Sequence, residues 1–124
     1  MLRISDLNKT KQDTDSGREI EARALENAAT MLSYCQDNWD AKNIRELLFE
    51  ALRHNQTLWS ILKKDLESPD NPLTQDIKNN LLALADFINK RTFEIQSWPS
   101  KEKLKILIDI NKNIAAGLRG SPSD

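Results

Sequence analysis

His54 and Cys35 are the side chains of this sequence best suited to nucleophilic or metal chemistry, and each is the only one of its type. A protein zinc site needs three or four Cys, His or carboxylate ligands converging on one point. A Cys–His nucleophile needs the base beside the thiol and a third group that orients the base. Cys35 and His54 fall on different predicted helices, and no HxxxH, ExxH or CxxC spacing occurs. No glycine-rich phosphate loop of either common form is present. Carboxylates are too numerous for any pair to stand out. The reading is therefore of a protein that is not an enzyme and that takes no metal or other cofactor. His54 is expected to be a boundary residue packed on its apolar edge near Leu47, Leu58 and Ile61.

Two asparagines are more informative. At roughly 100° per residue, Asn55 falls among Leu48, Ala51, Leu58 and Leu62, at the centre of an apolar helical stripe. Asn111 repeats the pattern among Leu104, Leu107, Ile108, Ile114 and Ala115. Burying an amide without partners costs on the order of 1–3 kcal/mol. Both are expected to be buried and to find hydrogen bonds inside the protein, each being a candidate partner for the other. Such groups fix which helix faces which, and in what register.

The elements that carry these residues are helical throughout. Residues 1–15 are polar and aperiodic, and read as a mobile arm. Ser16 and Glu19 match a capping box, which starts the first helix. Its stripe is Leu25, Ala28, Leu32 and Cys35, and its alanines would let a neighbour approach closely. A second helix is expected from Ala41 to Glu67, with Ile44, Leu47, Leu48, Ala51, Leu52, Leu58, Trp59, Leu62 and Leu66 facing inward. The segment "SPDNPL" stops it, because Pro69 and Pro72 lack a backbone donor and Asp70 and Asn71 favour turns. A third helix begins within residues 72–75, with a stripe at Ile77, Leu81, Leu84, Ile88 and Ile95. After "SWPS", Ser100 is the expected N-cap of a fourth helix, with Glu102 in its first turn. Gly117 and Gly120 fit its C-terminal cap, and residues 121–124 read as a tail. No segment alternates like a strand. The expected fold is all-α: a small bundle of about four helices forming one domain over residues 16–120.

Charge excludes further classes. The 124 residues carry 18 basic and 19 acidic side chains, for a net charge of -1. Such a chain has no global attraction to nucleic acid or anionic lipid. Lys101, Lys103, Lys105, Lys112 and Arg119 make the C-terminal segment mildly basic, but they alternate with apolar residues as on a solvated helix face. No apolar run approaches the roughly 20 residues needed to cross a bilayer. The opening "MLRISDLNKTK" lacks the apolar core of a signal peptide, and the unpaired Cys35 suits a reducing compartment. The expected location is the cytoplasm.

Some apolar residues lie off the stripes. Phe49 points away from the second helix's inner face, Leu82 and Phe93 share the back of the third, and Ile106 lies behind the fourth. Either these helices are covered on two sides, or the residues form a patch for a partner protein.

Three segments carry a family resemblance. "ALRHNQTLW" (51–59), "DNPL" (70–73) and "INKNIAAGLRG" (110–120) resemble, in sequence, order and separation, the hallmark segments of the FlaF family of bacterial flagellar proteins. The likeness covers roughly residues 16 to 120. It matches Asn55, Leu58 and Trp59 to the family's asparagine and Leu-Trp pair. Asn71, Pro72 and Leu73 match its inter-helix turn, and Ile110, Asn111, Ile114, Gly117 and Leu118 its C-terminal motif. One departure is visible: a histidine is expected near "NKRT", where Arg91 and Thr92 stand. The resemblance implies a regulator of flagellum biogenesis that binds flagellin in the cytoplasm and supports its production and export as chaperone or adaptor. It further implies work alongside an FlbT-type regulator and the export apparatus. The alternative is an RNA-binding regulator of flagellin mRNA, against which the charge balance and the lack of an RNA-binding motif weigh.

Overall fold

The first stripe, Leu25–Ala28–Leu32–Cys35, is fully buried, as its spacing requires of a helix packed on its neighbours. The computed structural model describes residues 11–120. The expected tail and most of the expected arm lie outside that range. Helix α1 runs Lys11–Asp37, so it is already helical before Ser16. Position 16 thus falls inside the helix and not at its start, and the side chain of the expected capping box lies outside the described residues. Capping signals are local and worth only about 1 kcal/mol, and a helix passes through them when the preceding residues are also helix-compatible. Asn38 ends α1: its backbone N–H and side-chain Nδ2 both donate to the Tyr34 carbonyl, at 3.0 and 2.8 Å.

Helix α2 spans Ile44–Leu66. Residues 41–43, expected to begin it, are spent instead on turns closed by the bonds Ala41 N–H to Asn38 O and Ile44 N–H to Ala41 O. Helix α3 spans Gln75–Ser97 and is capped by Thr74, whose Oγ1 accepts the Ile77 N–H at 3.3 Å. Helix α4 spans Leu104–Leu118 and follows a single 3-10 turn, Lys101–Lys103. Ser100 is not the N-cap expected of it. Its hydroxyl donates to the Glu102 carboxylate at 2.8 Å and leaves the backbone amides alone. At the other end Gly120 takes φ 74°, the left-handed conformation glycine adopts at no cost, and its N–H closes on the Gly117 carbonyl. Gly117 itself is the second-last residue of α4, not a cap.

The four helices form the expected all-α bundle, with no strand among the described residues. α1 packs most extensively on α4 and also on α2, while α3's main neighbour is α2. Small residues are buried on both helices: Ala22, Ala28 and Ala29 of α1 and Ala115 of α4. Leu52, Trp59, Ile88, Ile95, Leu104 and Leu107 fill the remaining core. Because α3 packs mainly on α2, its inner stripe is short. Ala85, Ile88, Thr92 and Ile95 are buried, whereas Ile77, expected inside, is 45% exposed near the start of the helix.

Candidate functional site

The centre of the bundle is polar. Trp59 on α2 donates its indole Nε1–H to Asn111 Oδ1 on α4 at 2.9 Å. Asn111 Nδ2 donates in turn to Asn55 Oδ1 at 2.7 Å and to the Leu25 carbonyl of α1 at 3.3 Å. Asn55 and Asn111 are both fully buried and Trp59 is 2% exposed. One asparagine thus ties three helices together inside an apolar core, where each bond is strengthened by the low local dielectric. The expectation that the two asparagines meet is met, and Trp59 is the member that spacing did not reveal. It lies four residues after Asn55, one helical turn along the same face, so an i, i+4 scan for donors would have found it. Asn55 Nδ2 and the hydroxyl of Thr92, also fully buried, make no hydrogen bond among the described residues. Thr92 stands where the family resemblance led to a histidine nearby, and it faces the core rather than solvent.

The second motif is a turn. Asn71 accepts the Leu73 N–H on Oδ1 at 3.0 Å and donates through Nδ2 to Asp65 at 3.1 Å. Its backbone N–H reaches back to Ser68 O. The side chain therefore closes the end of α2 and aims the chain into Pro72, Leu73 and the Thr74 cap. Of the third motif, Ile110, Ile114 and Leu118 pack half-buried against the core. Gly117 is exposed, and a Cβ there would meet nothing within 4 Å, so nothing in the chain's own packing demands glycine.

The family model described as Flagellar protein FlaF matches residues 4–118, nearly the whole chain. The chain belongs to the FlaF family. No curated protein and no solved structure matches it significantly. In this FlaF-family bundle all three resembling segments have structural work: the first and third build the buried network, and the second builds the α2–α3 turn.

The last residues of the third segment add an ion pair across the fold. Arg119 Nε and Nη2 donate to the two Glu19 carboxylate oxygens, both at 2.9 Å, and Nη1 donates to Glu26. This joins the end of α4 to α1. The hydrogen bond from Arg119 is the main cause that holds the Glu19 carboxyl down to about 2, and Glu26 is lowered for the same reason. A carboxylate with a depressed folded pKa stabilises fully above its unfolded value and loses that contribution as pH falls towards the folded one. Thermal melts from pH 6 to pH 2 are expected to show a steeper acid loss in the parent than in Arg119→Met, most of it between about pH 4.5 and 2. Parallel curves would show that these exposed pairs contribute nothing measurable.

The residues proposed for partner contact are scattered. Phe93 is 70% exposed on the outer side of α3, Phe49 is 37% exposed near the start of α2, and Ile106 is 38% exposed on α4. Leu82 is half-buried, so the expected Leu82–Phe93 face is exposed mainly at Phe93. The basic residues of α4 and its approach are largely committed. Lys103 lies near Glu94, Lys105 pairs with Asp109 at 2.7 Å, and Arg119 holds Glu19 and Glu26. His54, expected as a boundary residue at the edge of the stripe, is exposed, and Cys35 is buried on α1, where burial pushes its thiol up and away from the thiolate. No cluster of three His, Cys, Asp or Glu able to hold a metal occurs among the described residues. No described helix is long and apolar enough to cross a membrane.

Proposed function

We propose that this protein is a cytoplasmic flagellar regulator that binds flagellin and supports its production and export as chaperone or adaptor. It would act beside an FlbT-type regulator and deliver flagellin towards the export apparatus. Membership of the FlaF family carries this reading. The bundle supports it physically. The buried Trp59–Asn111–Asn55 network fixes the helices with respect to one another, while Phe49, Phe93 and Ile106 leave apolar surface outside. Flagellin ends are amphipathic helices, and such helices dock on apolar surfaces through anchors spaced i, i+3, i+4 and i+7.

Titration of the full chain with purified flagellin at 50 and 200 mM salt tests the proposal. Saturable binding with little salt dependence is the expected result. Absence of flagellin binding, together with RNA binding that collapses over the same salt range, would replace it with the mRNA-directed reading, since phosphate contacts weaken steeply with salt. Phe93→Ala is expected to melt within a degree or two of the parent, because so exposed a ring contributes little to folding. A clear drop in melting temperature would mean that Phe93 is covered in solution.

A further inference from the structure

Three sides of the bundle are packed and the fourth is open. α1 packs on α4 and α2, and α2 packs on α3, but α3 and α4 share no extensive interface among the described residues. Ion pairs show which flanks line the open seam. Lys103, just before α4, lies 3.8 Å from Glu94 of α3, whereas Arg119 at the far end of α4 reaches across to α1. Residues seven apart share a helix flank, so Lys103, Ile110 and Gly117 form one wall, and Glu94 and Phe87 the other. Ile110 and Ile114 pack on the core but stay partly uncovered, and Phe87 is 37% exposed. Gly117 is exposed, with open space where its Cβ would stand. Glycine inside a helix is less stable than alanine, and its use is to let another backbone approach closely.

The chain has a segment placed to make that approach. Residues 1–10 precede Lys11 and lie outside the described residues. The family match begins at residue 4, so most of this segment belongs to the family's pattern and is no mere appendage. It carries Leu2, Ile4 and Leu7, whereas residues 121–124, Ser-Pro-Ser-Asp, offer no large apolar side chain. The Arg119–Glu19 pair sets the end of α4 beside α1 at a point eight residues after Lys11, about 12 Å along the helix. Ten extended residues span up to about 33 Å. That length is enough to pass beneath the end of α4 and return along the seam to Ile114.

We propose that residues 1–10 lie in the α3–α4 seam, with Ile4 and Leu7 against Phe87, Ile110 and Ile114 and the backbone passing closest at Gly117. The segment closes the fourth side of the bundle, so in the free protein the chain itself covers the seam. This contact does not depend on flagellin binding.

Paramagnetic relaxation measured by NMR on the isotopically labelled full chain tests it. A nitroxide is attached at Asn113→Cys, exposed one turn before Gly117, and in a second sample at Ser60→Cys, exposed on α2. Cys35 is buried and is left in place. The label at position 113 is expected to remove most of the amide signal of residues 2–7, and the label at position 60 to leave it intact. Gly117→Phe, which fills the gap, is expected to restore the signal beside the label at position 113. Equal loss from both labels, or none from either, overturns the proposal, as does a loss that persists in Gly117→Phe. Loss that appears when nitroxide and isotope are on different molecules overturns it in favour of a second copy of the chain. Intact segment signals in every sample, with flagellin binding weakened by Gly117→Phe, overturn it in favour of flagellin as the occupant.

Discussion

Asn111→Ala is expected to lower the unfolding free energy by about 3–5 kcal/mol, the largest effect of any single polar substitution in this protein. The substitution removes one side chain but strands three partners. The Trp59 indole loses its acceptor, and Asn55 Oδ1 and the Leu25 carbonyl lose their donor. Each buried polar group left without a partner costs about 1–3 kcal/mol, well above the value of an average surface hydrogen bond. Asn111→Leu restores volume but not the bonds, and should recover only a small part. Urea unfolding followed by tryptophan fluorescence measures the loss. Adding Trp59→Phe to Asn111→Ala completes a double-mutant cycle, and the two costs should be clearly less than additive because the indole donor is then absent. Strict additivity would show that the Trp59–Asn111 bond contributes nothing.

The second large effect is expected of Asn55→Asp, at least about 3 kcal/mol at neutral pH. Asn55 is fully buried, and the substitution replaces its unpartnered Nδ2 by a carboxylate oxygen inside the core. The Asn111 donor remains, but one neutral hydrogen bond does not offset the desolvation of a charge. Burial must then raise the folded pKa of the new carboxyl above its unfolded value of about 3.9. The sign follows: the variant holds more protons when folded, so its deficit is smallest below about pH 4 and grows as pH rises through the raised value. Stability measured from pH 4 to pH 8 should therefore diverge from the parent with increasing pH. A constant gap would mean that the carboxylate reaches water.

Much of this architecture was legible in order along the chain. The helical period placed Leu25, Leu32, Leu52, Leu104 and Leu107 in the core, because one face of each amphipathic helix must leave water. The same period placed Asn55 and Asn111 inside, and burial cost then required that they find partners. Prolines and an asparagine marked the α2–α3 turn, and the three short segments identified the family. The boundaries were less legible. The first helix begins at Lys11, ahead of the expected start at Ser16, and Ser100 is a good capping residue that does not cap α4, since a local preference of about 1 kcal/mol yields easily to the path of the chain around it.

Other features depended on neighbours that no local pattern specifies. Ile77 continues a helical stripe yet is exposed, because only the part of α3 lying against the bundle has anything to cover it. Thr92 is buried for the complementary reason. Arg119 meets Glu19 and Glu26 across separations of 100 and 93 residues, and Trp59 meets Asn111 across 52. The shallow cleft lined by Trp39, Ile44, Leu48, Phe49 and Pro99 exists only where the α1–α2 turn and the α3–α4 connection come together. A sequence by itself determines which face of each helix must be buried, because that depends on local spacing and the cost of wetting apolar surface. Only the tertiary structure decides which faces meet, because that depends on how all four helices together satisfy their buried polar groups.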